Sequence, residues 1–157
     1  GTIGFLDLAV MKSLFLADPG PSGAPNICEA GCGLRDTGLD PAQHFGVQMY
    51  VLGTPNNWRP EPPYNLINYG GGVYRIQVEV SAAEHDLKIA DADWTLEYDS
   101  RLRLVLGEPL LLDGGAPDGS PDISLDLEQN SCLNFRVEVV DTNIPPAQVE
   151  LTVNKKP

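Results

Sequence analysis

The residues best suited to covalent chemistry are the three cysteines, Cys28, Cys32 and Cys132. They allow three different single disulfides, each of which leaves one thiol over. Two of these disulfides would join the first quarter of the chain to its body, and the third would close a short loop. A disulfide predicts an oxidising compartment, so the protein is expected to be secreted or at the cell surface. Reduced cysteines within a core are the alternative.

Signatures of catalysis and of metal binding are absent from the sequence. No Gly-x-Ser-x-Gly motif, Walker loop or His-Glu-x-x-His motif occurs. The two histidines, His44 and His85, lack the spacing of metal ligands and are predicted to be ordinary surface or loop residues. Cys28 and Cys32 have the wrong spacing for a thioredoxin-like pair. We therefore expect a protein that is not an enzyme, with no catalytic residue, no metal site and no cofactor.

Carboxylates are plentiful, with 22 Asp and Glu residues. The acidic, glycine-rich loop 113–122 and the group Asp91, Asp93 and Asp99 carry clustered oxygen atoms of the kind that calcium prefers. The loop lacks the residue order of an EF-hand, so a solvated turn is predicted there. A glycosidase pair needs a cleft and one carboxyl group whose pKa is raised by burial. A chain of 157 residues with a compact core leaves little material for such a cleft.

The net charge of -12 restricts the possible partners. Nucleic acids and anionic membrane surfaces are bound through Lys and Arg, so neither is an expected partner. A neutral ligand, a cation or another protein remains compatible with this charge. The apolar stretch Ile3–Leu16 is interrupted by Asp7 and Lys12 and is too short to predict a membrane span.

Alternating apolar and polar residues predict strands from about His44 onward. At least seven short segments show this pattern or an apolar run bounded by turns, and they are 47–52, 74–80, 87–89, 102–106, 123–127, 135–139 and 149–153. No segment after residue 44 has the pattern of a long amphipathic helix. Short strands joined by Gly- and Pro-rich turns predict an all-β protein, an immunoglobulin-like antiparallel β-sandwich.

Composition divides the chain into three predicted parts. Residues 1–18 form an apolar N-terminal extension, residues 19–43 a linker rich in Gly and Pro that contains two cysteines, and residues 44–157 the sandwich domain. The extension has the spacing of a helical face and also that of a strand. It is expected to pack on its own domain or on a neighbouring subunit, because an isolated apolar terminus is seldom ordered.

Several runs of sequence resemble a known family. They are Tyr50-Val-Leu-Gly-Thr-Pro-Asn-Asn-Trp58, Gly70-Gly-Gly-Val-Tyr74, Leu87-Lys-Ile-Ala-Asp-Ala-Asp-Trp94 and the closing stretch 134–153. Together they resemble the small starch-binding β-sandwich modules that accompany pullulanases and other α-amylase-family enzymes. Leu87 replaces the aromatic residue that the family usually has before the lysine. The resemblance covers about residues 46–154.

The resemblance implies a site for carbohydrate. In starch-binding members, a tryptophan after the Asn turn, the lysine of the next matching strand and the tryptophan after it bind glucan, which corresponds here to Trp58, Lys88 and Trp94. The apolar face of a sugar ring stacks on an indole, and its hydroxyls need fixed polar partners. The further polar residues expected at this patch are Asn56, Asn57 and Asp93. The alternative for Trp94 is a place in the core.

Two functions follow from these observations. The first is a non-catalytic carbohydrate-binding module of an extracellular protein, with α-glucan or another neutral polysaccharide as its partner. The second is a structural subunit of an extracellular filament or surface assembly, in which residues 1–18 insert into the next copy and cause self-association.

Overall fold

The computed structural model describes residues 34–115, 121–143 and 145–156, and these ranges fold as antiparallel β-structure. The strands are β1 (Met49–Gly53), β2 (Ile67–Asn68), β3 (Val73–Val80), β4 (Glu84–Asp91), β5 (Glu97–Asp99), β6 (Leu110–Gly115), β7 (Ile123–Asp126), β8 (Ser131–Asp141) and β9 (Gln148–Lys155). A single 3₁₀ turn, Thr54–Asn56, follows β1. Within the described ranges there is no α-helix, and hence none that could cross a membrane.

The strands form two layers that share β6. One layer contains β1, β4, β5 and β7, with β4 paired to the other three. The second layer contains β2, β3, β8 and β9 in that order. The first half of β6 pairs with β9 and its second half pairs with β5, so this strand joins the layers at one side. The predicted all-β antiparallel sandwich is confirmed; the predicted N-terminal extension lies outside the described residues.

The hydrophobic core lies between the two layers. Alternate residues of β3 and β8 point into it, among them Tyr74, Ile76 and Phe135, each at most 1% exposed. The opposite layer contributes Leu87 and Ile89 from β4 in the same way. Because each such side chain contributes roughly 1.5–3 kcal/mol when it is fully buried, this core is the main source of stability.

The predicted strand 102–106 is wrong. Residues 101–109 form bends and turns, and Leu102 is 66% exposed. Leu104 is buried, and its N–H donates to the Ser124 carbonyl at 2.9 Å. The leucines of this segment therefore belong to a loop, in which Leu104 is buried in the core and Leu106 packs against it. The sequence reading also missed β2, β5 and β6, which are short or lack strict alternation.

The prediction that both histidines lie in ordinary surface or loop positions is wrong for His85. His85 lies in β4 and is 5% exposed. Its Nε2 lies 2.8 Å from the Ser81 carbonyl, which can only accept, so Nε2 carries the proton. Its Nδ1 accepts from the Thr54 hydroxyl at 2.9 Å. His44 is half-buried and bonds the Tyr74 hydroxyl at 2.8 Å.

The described part of the predicted linker contacts the second layer. The Asn68 amide donates to the Asp40 carbonyl at 2.7 Å, and the Tyr69 hydroxyl donates to the Arg35 carbonyl at 3.2 Å. The Thr37 hydroxyl donates to the Asn68 carbonyl. The three domain boundaries stay predictions, since residues 1–33 lie outside the described part of the chain.

The glycine at position 114 allows β5 and β6 to approach closely. A Cβ atom there would lie 2.2 Å from the ring of Tyr98, which has no exposed surface. We expect Gly114→Ala to lower the free energy of unfolding by about 1–3 kcal/mol, because the buried ring must shift. Urea denaturation measures this.

The matched control for this substitution is Gly115→Ala. A Cβ atom at Gly115 meets nothing within 4 Å, so this variant should unfold close to wild type. Equal stability of the two variants would show that the β5–β6 contact is not as close as described.

Candidate functional site

The two tryptophans come from loops at opposite ends of the β1–β4 pair. Gly53 is paired with Leu87 and Met49 with Asp91, so the two ends lie roughly 13 Å apart at 3.3 Å per residue. The Trp58 N–H donates to the Gly53 carbonyl at 2.9 Å, which fixes one loop beside one end. The Trp94 N–H lies 3.3 Å from the Asp91 carbonyl at the other end.

Despite this separation, the indole rings meet. Their centroids are 6.0 Å apart and their planes are inclined by 43°. Both tryptophans are half-buried, so neither belongs to the core and each keeps some surface open to solvent. The two rings together form the tryptophan pair, Trp58 and Trp94.

The backbone at this pair is strained. Trp58 and Trp94 have φ values of 60° and 57°, and Asn57 has 53°, all in the left-handed region. A residue with a large side chain adopts this conformation at a cost of roughly 1–2 kcal/mol, and such residues concentrate at binding sites. Hydrogen bonds around both loops must therefore offset the free energy that this backbone conformation costs.

Asn56 holds the Trp58 loop. Its side chain is 4% exposed and makes three hydrogen bonds to backbone. The Oδ1 atom accepts from the Gly53 N–H at 3.0 Å, and Nδ2 donates to the carbonyls of Val51 and Arg59 at 3.0 and 3.1 Å. The Asn56 side chain therefore ties the loop at Arg59 to strand β1 at Val51, so this residue positions Trp58.

Asp91 holds the Trp94 loop in the same way. Its carboxylate accepts from the N–H groups of Leu96, Thr95 and Asp93 at 2.7, 2.8 and 3.3 Å, and from the Thr95 hydroxyl at 2.9 Å. Burial alone would raise the pKa of Asp91, but these hydrogen bonds outweigh it and hold the pKa below its ordinary value of 3.8. The sequence reading missed this role, although an Asp that ends a strand before a short turn is a recognised signal.

Lys88 lies inside an ion cluster on the outer face of β4. Its side chain is 8% exposed, and Nζ lies 3.1 Å from Glu97, 3.6 Å from Asp99 and 3.8 Å from Asp122. Burial alone would lower the pKa of Lys88, but the three carboxylates outweigh it and raise the pKa. A sugar hydroxyl would have to compete with these carboxylates for the ammonium protons.

Asp122 is the accessible member of this cluster. About 35% of its side chain is exposed, whereas Glu97 and Asp99 are buried. The pKa of Asp122 is raised because partial burial, Asp86, Glu97 and Asp99 together outweigh the attraction of Lys88. The sequence reading placed Asp122 in a solvated acidic loop and gave it no role. Across the described residues, no group of three His, Cys, Asp or Glu side chains has the arrangement of a metal site.

The outer face of β1 and β4 is covered. By strand alternation Leu52 and Ala90 point away from the core, yet neither has exposed surface. The loops that carry the tryptophan pair lie at the two ends of this strand pair. Of the residues expected at the patch, the structure brings Trp58 and Trp94 together, leaves Asn57 and Asp93 exposed, and buries Asn56 and Lys88.

Comparison with known proteins identifies the fold. The chain is similar to a solved starch-binding domain, the ligand-induced structure of AmyP-SBD, with a TM-score of 0.55 and 17% identity. The similarity covers 88% of this chain and 99% of that chain. No family model and no curated protein matches the sequence. The resemblance inferred from the sequence is thereby confirmed at the level of the fold.

The hydrogen bonds of Asp91 give a test of how the Trp94 loop is held. We expect Asp91→Asn to lower the free energy of unfolding by about 2 kcal/mol at pH 7, because hydrogen bonds to a carboxylate are lost. Since folding lowers the pKa of Asp91, its carboxylate stabilises the fold above pH 3.8, and this contribution is lost as the pH falls through the folded value. The difference between wild type and variant should therefore shrink below about pH 4.

Denaturant unfolding between pH 3 and pH 7 measures this difference. Asp93→Asn is the control, because Asp93 is exposed and should show no comparable loss. A difference between wild type and Asp91→Asn that is independent of pH would contradict the described hydrogen bonds.

Proposed function

We propose that this chain is a non-catalytic carbohydrate-binding module of an extracellular protein and that it binds α-glucan through the tryptophan pair. The observation that supports this most strongly is the meeting of two half-buried indoles 6.0 Å apart, on loops whose strained backbone is held by Asn56 and Asp91. Rings that served only to fill the core would not need two strained loops at the surface.

The inclination of the rings favours a curved chain. Consecutive sugars of an α-1,4-glucan turn relative to each other, so two platforms inclined by 43° follow its curvature. A flat β-1,4-glucan would instead stack best on coplanar rings. Each indole offers a large apolar surface that the C–H face of one pyranose can cover.

The polar residues around the pair suit a neutral ligand. Asn57 and Asp93 are exposed and adjoin Trp58 and Trp94 in sequence, so they can bond sugar hydroxyls. A protein of net charge -12 would repel an acidic polysaccharide. Lys88 is retained in this proposal as a residue that organises the cluster of Glu97 and Asp99.

The absence of catalysis is part of the same proposal. Glu97 and Asp99 are the buried carboxylates of the ion cluster, and both are near the Lys88 ammonium. Both side chains are buried beside this ammonium, whereas the acid of a glycosidase must reach the substrate in a cleft. Incubation with maltoheptaose should therefore release no shorter sugar.

Intrinsic fluorescence gives a direct test, because the chain contains just two tryptophans and both belong to the pair. Maltoheptaose should change the emission with saturation. Trp58→Ala and Trp94→Ala should each weaken binding by roughly 10- to 100-fold in calorimetry, because buried aromatic contacts dominate such sites.

Two controls accompany this titration. Leu102→Ala removes an apolar side chain that is 66% exposed on the 101–109 loop, and should bind like wild type. Cellohexaose, a flat glucan, should bind at least tenfold more weakly than maltoheptaose. Binding that survives both tryptophan substitutions would refute the site.

The alternative, a structural subunit of a filament, concerns residues 1–18, which lie outside the described residues. It remains a prediction from the apolar sequence of that extension. Light scattering of the full chain and of a chain without residues 1–18 tests it: large assemblies that become monomers on deletion would establish it. Assemblies that persist after deletion would refute it.

A further inference from the structure

A depression of about 430 Å³ lies between the 36–41 segment, strand β2 and the residue that precedes β1. Sites for small molecules commonly have volumes of roughly 300–1,000 Å³, so this depression is large enough to hold one. None of the described residues that line it belongs to the tryptophan pair. The depression is therefore a separate candidate site.

The 36–41 segment, which the sequence predicted to be part of an irregular linker, forms one wall of this depression. The amide of Asn68, a residue of β2 that is 1% exposed, donates to the Asp40 carbonyl at 2.7 Å. The Thr37 hydroxyl donates to the Asn68 carbonyl. One oxygen of each of the Asp36 and Asp40 carboxylates accepts from the backbone N–H two residues further on, both at 2.9 Å. These bonds fix the wall against β2 and fix the direction of both carboxylates.

The side-chain groups that this depression offers to a ligand are mostly acceptors. The Gln48 amide donates to two backbone carbonyls at 2.8 and 2.9 Å, and the Asn68 amide donates to the Asp40 carbonyl and to a side-chain oxygen. Within the described ranges, the Gln48 Oε1 atom and the second oxygen of each carboxylate accept no hydrogen bond. Among the described lining residues, Asn65 alone has a side-chain donor to offer.

The charge of the depression is negative. Its described lining contains the carboxylates of Asp36 and Asp40 and no Lys, Arg or His. Neither carboxylate forms a salt bridge with another described residue. A set of acceptors with this charge requires a ligand that has several donors and a positive charge, and a protonated amine has three N–H donors. The net charge of -12 adds a long-range attraction for such a ligand.

We propose that this depression binds a protonated amino sugar, with its ammonium group at Asp36 and Asp40 and its hydroxyls at Gln48 and Asn65. The Gln48 Oε1 atom accepts from a hydroxyl, and the Asn65 amide both donates and accepts. Leu39, which is 44% exposed, offers apolar surface to the C–H groups of the sugar ring. A lysine side chain would supply the ammonium group but has no hydroxyl for the two amides. The amino sugar therefore uses the whole set of groups.

Calorimetry of the full chain with a tetramer of glucosamine, at pH 6 and low salt, tests the proposal. The tetramer of N-acetylglucosamine is the matched ligand, because it keeps the ring and hydroxyls but carries no charge. The amine tetramer should bind at least tenfold more tightly, and its affinity should fall as salt screens the attraction. Equal affinity for the two tetramers would overturn the proposal. Tighter binding of N-acetyl-lysine amide than of the amine tetramer would overturn the assignment to a sugar.

Substitution of the two aspartates tests the position of the site. An Asn side chain can still accept the backbone N–H bond that each carboxylate accepts, so Asp36→Asn and Asp40→Asn should fold. Each should weaken binding of the amine tetramer by roughly 3- to 10-fold, because one partner of an exposed charged contact is lost. Glu128→Gln removes an equal charge from an exposed position outside the depression and should bind like wild type. An equal loss in Glu128→Gln would show attraction by overall charge and refute the site.

The two ligands also distinguish this site from the tryptophan pair. Trp58→Ala should leave the affinity for the amine tetramer unchanged. The double variant Asp36→Asn, Asp40→Asn should leave the fluorescence titration with maltoheptaose unchanged, because the two sites share no described residue. Loss of amine binding in Trp58→Ala would place this ligand at the tryptophan pair and contradict the proposal.

Discussion

The antiparallel pairing of β1 with β4 is the constraint on which the candidate site depends. It places Gly53 opposite Leu87, where a Cβ atom would lie 2.2 Å from the Asp86 carbonyl, so the strand can end and turn only because position 53 has no side chain. The same register places Asp91 opposite Met49 at the other end. Both tryptophan loops thus begin from fixed points on one rigid pair of strands.

The conformation of each tryptophan loop is fixed by one buried side chain that makes several hydrogen bonds to the backbone. Asn56 and Asp91 perform the same task at the two ends, and each is about 4% exposed. Their bonds offset the cost of the left-handed backbone at Trp58 and Trp94. The tryptophan pair is therefore preorganised, and under the proposed function this would lower the entropy cost of binding a flexible glucan.

Two of the residues that the family resemblance predicts to contact carbohydrate are buried and bonded to other groups of the protein. Lys88 matches the lysine of the starch-binding pattern in sequence, yet three carboxylates lie within 3.8 Å of its ammonium. Asn56 matches the Asn turn, but its amide donates to the backbone carbonyls of Val51 and Arg59. In this structure the buried residues of the pattern hold the loops of the tryptophan pair, and the neighbours that stay exposed are Asn57 and Asp93.

Strand alternation and turn residues were enough to predict the sandwich, because these signals are local. Trp58 and Trp94 came from the family resemblance, and their role in binding stays a prediction. The local pattern wrongly predicted a strand at 102–106, where Leu104 anchors a loop. It also missed β5 and β6, which are strands because they pair with neighbouring strands and not because their residues alternate. The burial of Lys88, the role of Asp91 and the meeting of the indoles depend on residues distant in sequence. Only the tertiary structure decides such contacts, since they arise when both layers and their loops have packed.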